Sequence, residues 1–189
     1  MAKKMKRSGV QNEVAIPQGI EVTFGEHALV AKKDGKEITR KVNPKIKLAK
    51  QDDKVILSVE NARKMERRLI ESATSHIKNV FDGLLTAWEY ELEICNVHFP
   101  VTVTFDKAKG EFIVKNLLGE RAPRVIKAEQ PGKIEVEIKA PHIKIKSYDL
   151  EAAGQNAANL EKISKIKNRD RNKFQDGIFI TKKPGKVYL

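Results

Sequence analysis

The apolar residues of this chain change period in the same order twice. Alternation gives way to a three-to-four-residue repeat, and both patterns then recur. Alternation puts every second side chain on one face of a strand, and the longer repeat lines one side of a helix. From Glu13 to Glu60 the chain reads as strands. Ile20, Val22 and Phe24 alternate, residues 27–32 and 37–42 flank an Asp34-Gly35 turn, and 45–48 and 55–59 follow. Met65, Leu69, Ala73, Ile77, Val80 and Leu84 then recur at helical spacing, which predicts a helix near 62–81 with Asn61 as its N-cap and Gly83 as its end.

The second half repeats the series. Val101, Val103 and Phe105 alternate, Lys109-Gly110 makes a turn, and Phe112 and Val114 resume the alternation. Residues 133–139 alternate throughout, and a short strand with Ile143 and Ile145 follows Ala140-Pro141. Leu150, Ala153, Ala157, Leu160 and Ile163 predict a second helix capped by Asp149 or Ser147, and its small residues allow close approach to a sheet. Val30, Gly35 and Arg40 match Val114, Gly119 and Arg124 at one constant offset, and Asp82-Gly83 matches Asp176-Gly177 after each helix. The expected fold is therefore α+β, with two duplicated units, each a small antiparallel sheet packed against one helix. The units are placed at 13–94 and 95–189, joined near 92–100, behind a basic tail at 1–12.

Charge separates the copies. The net charge is +12, of which residues 155–189 carry +6 and residues 1–12 carry +4, leaving +2 for the 142 residues between. A solubilising surface intersperses both signs, so concentrated patches point to a polyanion, and to nucleic acid before a membrane. After the first predicted helix come acids at Asp82, Glu89, Glu91 and Glu93, whereas after the second the chain reads KIKNRDRNKFQDGIFI. A fold that demanded a basic segment here would place one in both copies. Lys165, Lys167, Arg169, Arg171 and Lys173 alternate with other residues and are expected to bind successive phosphates, with Lys182, Lys183 and Lys186 extending the cluster. Phe174 is either a base-stacking ring or a core residue, and Asp176-Gly177 reads as a turn. Arg63, Lys64, Arg67 and Arg68 form a second basic knot, at the start of the first helix.

Nothing in the chain argues for an enzyme. His27, His76, His98 and His142 form no HxxxH or HxH pair, Cys95 is the single cysteine and is expected as core filler, and no glycine-rich phosphate loop is present. Cys95 and His98 lie three residues apart with no orienting acid in sight. No metal, cofactor or small-molecule substrate is expected. The basic N-terminus lacks the apolar stretch of a signal peptide, so the expected location is cytoplasmic.

Four stretches resemble a known family: SHIKNVFDG (75–83), VHFPVTV (97–103), KNLLGERAPR (115–124), and GQNAANLEKISKIK running into NRDRNKFQDGIFITKKPGK (154–186). They resemble the universal large-subunit ribosomal protein six, in its archaeal and eukaryotic branch, from about Ile16 to Val187. The chain departs from that family at Lys32-Lys33 and Ala87-Trp88. The resemblance implies a duplicated α+β fold and a structural role in the large ribosomal subunit. It implies binding to large-subunit RNA near the sarcin-ricin loop and the stalk base, beside neighbouring ribosomal proteins. It also places RNA contact on Lys167, Arg169, Arg171 and Lys173, with Lys182, Lys183 and Lys186 as additions. Two competing readings are a free RNA-binding regulator and an RNA-processing enzyme.

Overall fold

The computed structural model describes residues 9–60 and 62–188. Two compact units meet in sequence between Thr86 and Ala87.

In the first unit, β1 (Val10–Ala15), β2 (Glu21–Phe24), β3 (Ala28–Lys33), β4 (Lys36–Lys41), β5 (Lys47–Gln51) and β6 (Lys54–Val59) precede α1 (Lys64–Leu85). The strands form two antiparallel sheets, ordered β1-β6-β5 and β2-β3-β4. Asp34 and Gly35 both take positive φ (48° and 75°), the conformation a two-residue hairpin needs to follow strand twist. The single helix touches strands of both sheets. It buries Ile70, Ile77 and Phe81 in a core shared with Leu29, Ala31, Val55 and Leu57.

The second unit contains β7 (Trp88–Cys95), β8 (Thr102–Asp106), β9 (Glu111–Lys115), β10 (Arg124–Lys127), β11 (Ile134–Lys139), β12 (His142–Ser147), α2 (Leu150–Ile163), β13 (Gly177–Lys183) and β14 (Lys186–Val187). The sheet order β10-β9-β8 repeats β4-β3-β2. The order β11-β12-β7 repeats β5-β6-β1, and β13-β14 adds to the free side of β7. The duplication is thus visible in the topology, with each unit dividing its strands between two sheets under one helix. Asp149 caps α2, its carboxylate accepting the Glu151 N–H at 3.0 Å, while Ser147 Oγ accepts the Asp149 N–H. Ala152, Ala153 and Ala157 are buried, and a Cβ on Gly154 would come within 2.9 Å of Tyr90 Oη, so the small residues do let α2 lie against β7.

Several expectations change. The break between units falls between Thr86 and Ala87, ahead of 94/95: β7, most of which the sequence reading placed in the first unit, is the centre of the five-stranded sheet and buries Leu92 and Ile94 in the second core. β1 begins at Val10, inside the expected tail, pairing Val10 with Val59. The first helix runs through Gly83, which is buried within it. Asp82-Gly83 is therefore helical, whereas Asp176-Gly177 leads into β13, and the two pairs are not equivalent. The proposed cap Asn61 and the tail cations Lys3, Lys4, Lys6 and Arg7 lie outside the described residues.

Candidate nucleic-acid interface

The basic segment is a loop between α2 and β13, closed at its base by three polar clamps. Ser164, buried at the end of α2, accepts the Ile178 N–H at 2.9 Å and donates to the Glu161 carbonyl at 2.9 Å, joining the loop's two ends. Asp176, also buried, accepts the Val97 N–H (2.8 Å) and the His98 N–H (2.9 Å) and meets His98 Nδ1 at 2.6 Å. Burial alone would raise its carboxyl, but these hydrogen bonds outweigh that and hold the pKa at about 2. Arg124 supplies the third clamp. Its Nη1 donates to the carbonyls of Ile163 (2.7 Å) and Lys165 (3.2 Å), satisfying groups at the helix end, while Nε and Nη2 engage Glu120 at 2.8 and 2.5 Å.

Between the clamps the chain turns tightly. Asn168 is left-handed (φ 57°), the Asp170 carboxylate accepts the Asn172 N–H, and the Asp170 carbonyl accepts from Lys173 and Phe174. An every-other-residue spacing on such a backbone does not send all donors one way. Lys165, Lys167 and Arg169 line a groove of about 610 Å³ facing Arg124. Arg171, with Lys165, lines a second cleft of about 360 Å³, its guanidinium 5.7 Å from the Phe179 ring centre. Arg169 lies 5.3 Å from the ring of Phe174, which stacks on His98 at 5.0 Å, and Lys173 is exposed. Phe174 is thus half-buried in a stack with a histidine.

Lys182, Lys183 and Lys186 stand elsewhere, on the β13–β14 hairpin, where Lys183 pairs with Lys186 around Gly185 (φ 75°). β13 has seven residues, so at roughly 3.3 Å per residue the loop and the hairpin are about 20 Å apart. The Lys183 and Lys186 ammoniums sit 5.1 and 5.2 Å from the Tyr188 ring. Lys182 lies 3.3 Å from Glu91, which also holds Lys144 at 3.2 Å. These lysines, Lys144 first, keep the Glu91 carboxyl below its ordinary range against the opposing effect of burial. Glu89 and Glu91 of β7 thus pair with lysines of the strands beside it. Lys165, Lys167, Arg169, Arg171 and Lys173 have no carboxylate within ion-pairing distance among the described residues. The contrast drawn from the sequence between acids after one helix and cations after the other therefore compares a strand, β7, with the loop that leads into its neighbour β13. What marks the loop is that five such cations fall within nine residues, 165–173.

No family model matches the chain. Among curated proteins, the large ribosomal subunit protein uL6 of Nanoarchaeum equitans is 35% identical over 187 residues, covering 95% of this chain and 96% of that protein. The protein of the same name from Methanobrevibacter smithii is 33% identical over 177 residues, covering 93% and 97%. That from Haloarcula marismortui is 31% identical over 175 residues, covering 92% and 96%. The chain belongs to the uL6 family. Three of the four stretches that resemble uL6 proteins converge on the loop. Residues 97–103 bring His98 to Asp176, 115–124 bring Glu120 and Arg124, and 154–186 supply α2, the loop and β13. Stretch 75–83 lies in α1. Sequence reasoning gave Arg124 and Ser164 no site role and read Asp176 only as part of a turn; the partners through which they close the loop lie 14 to 79 positions away.

The cysteine next to this uL6 loop sits in surroundings that disfavour its thiolate. Burial, then Glu93 and Asp176, push the Cys95 thiol up, and an acid does stand beside His98. Cys95 is half-buried at the end of β7. Among the described residues no three His, Cys, Asp or Glu converge as metal ligands, and no helix is long and apolar enough to cross a membrane.

Proposed function

We propose that this chain is a structural, non-catalytic constituent of the large ribosomal subunit. It binds large-subunit RNA through the clamped loop of its second unit, near the sarcin-ricin loop and the stalk base, beside other ribosomal proteins. The observation that carries the reading is the set of uncompensated cations Lys165, Lys167, Arg169, Arg171 and Lys173 on a loop fastened at its base by buried hydrogen bonds. Binding energy comes from phosphate neutralisation and counterion release. Because the base is already ordered, little entropy is lost when RNA docks. Lys182, Lys183 and Lys186 form a second, more distant contact, with Lys182 the weakest because Glu91 already neutralises it. The position near the sarcin-ricin loop and stalk base rests on the resemblance of residues 154–186 to family members.

The test is a salt titration of RNA binding. Replacing Arg169, Arg171 and Lys173 together by alanine is expected to weaken binding to large-subunit RNA and to flatten the log-log salt slope by about 3, roughly 1 per lost phosphate contact. The melting temperature is expected to stay unchanged, since all three side chains are exposed. Wild-type affinity in the triple variant would remove the loop from the RNA interface.

A further inference from the structure

The groove between residues 116–124 and the basic loop has more structure than phosphate contact requires. Its rim is cationic: Lys162 from the last turn of α2, then Lys165, Lys167 and Arg169. Its one acid, Glu120, is neutralised by Arg124. Its wall is apolar, formed by Leu118, Ile163 and Ile166. At about 610 Å³ it falls within the range that encloses small organic ligands.

Leu118 is placed there against its backbone preference. It takes a left-handed conformation (φ 51°, ψ 31°) two residues after Asn116, which is also left-handed (φ 59°). A leucine rarely adopts this, and such positions cluster at ligand clamps. Core packing does not explain it, because the neighbouring Leu117, 1% exposed, is the residue that anchors the turn in the core, while Leu118 is half-exposed.

We infer that this groove seats one unstacked nucleotide of the large-subunit RNA, its phosphate on the Lys162, Lys165, Lys167 and Arg169 rim and its base against Leu118 and Ile166. Bases splayed out of a helix expose two apolar faces, which is how proteins commonly grip folded RNA. The inference rests on the RNA-binding reading above and adds to it a site for a base, reached through Leu118 and Lys162, which that reading does not use.

The full chain is titrated with archaeal large-subunit ribosomal RNA at several salt concentrations. Leu118→Gly removes the apolar wall and suits the left-handed backbone. It is expected to weaken binding about tenfold, with the salt slope unchanged and the melting temperature unchanged or raised. Leu118→Asn, which also tolerates that conformation, is expected to show the same loss and guards against a folding artefact. Lys162→Ala is expected to weaken binding and flatten the slope by about 1. Wild-type affinity in the Leu118 and Lys162 variants, with a loss in Arg171→Ala/Lys173→Ala, would overturn the nucleotide site and leave the loop as the RNA contact. Wild-type affinity in all of them would overturn both.

Discussion

Asp176 shows how one buried side chain can fasten the base of an exposed basic loop. Its carboxylate is enclosed, receives two backbone N–H groups and a ring nitrogen, and titrates at about 2 instead of the ordinary 3.8. A carboxyl depressed on folding stabilises the native state fully above its unfolded pKa, and that contribution disappears as pH falls through the folded value. The window here is about pH 4 down to pH 2, and the contribution at neutral pH is about 2 kcal/mol. Thermal melts of wild type and Asp176→Asn at pH 7, 4 and 2.5 check this. The wild type is expected to be the more stable at pH 7 by about that amount, with the gap narrowing as the solution is acidified. Parallel curves would show that the carboxylate does not stabilise the loop base. From the sequence Asp176 was readable only as half of an Asp-Gly turn, because its partners are 78 and 79 positions earlier in the chain.

At the scale of elements, the loop's behaviour depends on its two ends being joined. Ser164 ends α2 and Ile178 lies in β13, and one hydroxyl spans them. Ser164→Ala leaves the buried Ile178 N–H without that acceptor, at a cost of about 1–3 kcal/mol. A lowered melting temperature is expected, with faster hydrogen exchange at the Ile178 amide and weaker RNA binding as the loop loses its fixed base. Unaltered exchange at Ile178 would mean the clamp does not hold. The helix α2 was legible, with Asp149 one of the two caps its sequence offered, because capping and helical periodicity are local. The loop was legible in composition and not in shape. Alternating cations suggested one row of donors, but across the turns at Asn168 and Asp170 Lys167 and Arg169 line one groove and Arg171 another, with Lys165 at both and Lys173 exposed apart from them.

For the whole molecule, the central strand of the second unit follows the first unit's helix directly, so the break between units lies before β7. Residues 87–189 expressed alone are therefore expected to fold cooperatively and to retain salt-dependent RNA binding. Residues 95–189, which lack β7 and its buried Leu92 and Ile94, are expected not to fold. Circular dichroism melts of the two fragments decide the matter, and a cooperative transition in the shorter one would contradict the assignment of β7 as the sheet's centre. The repeat, the α+β class, the second helix and the basic character of the C-terminal loop were all determined by the sequence itself, since period, capping and charge are properties of neighbouring residues. Only the tertiary structure decided that β7 belongs to the second sheet, that its Glu91 pairs with Lys144 and Lys182 while the loop's cations stay free of carboxylates, and that Leu118 and Arg124 face that loop. Those outcomes depend on strand pairing and on hydrogen bonds between residues far apart in the chain, which no local pattern records.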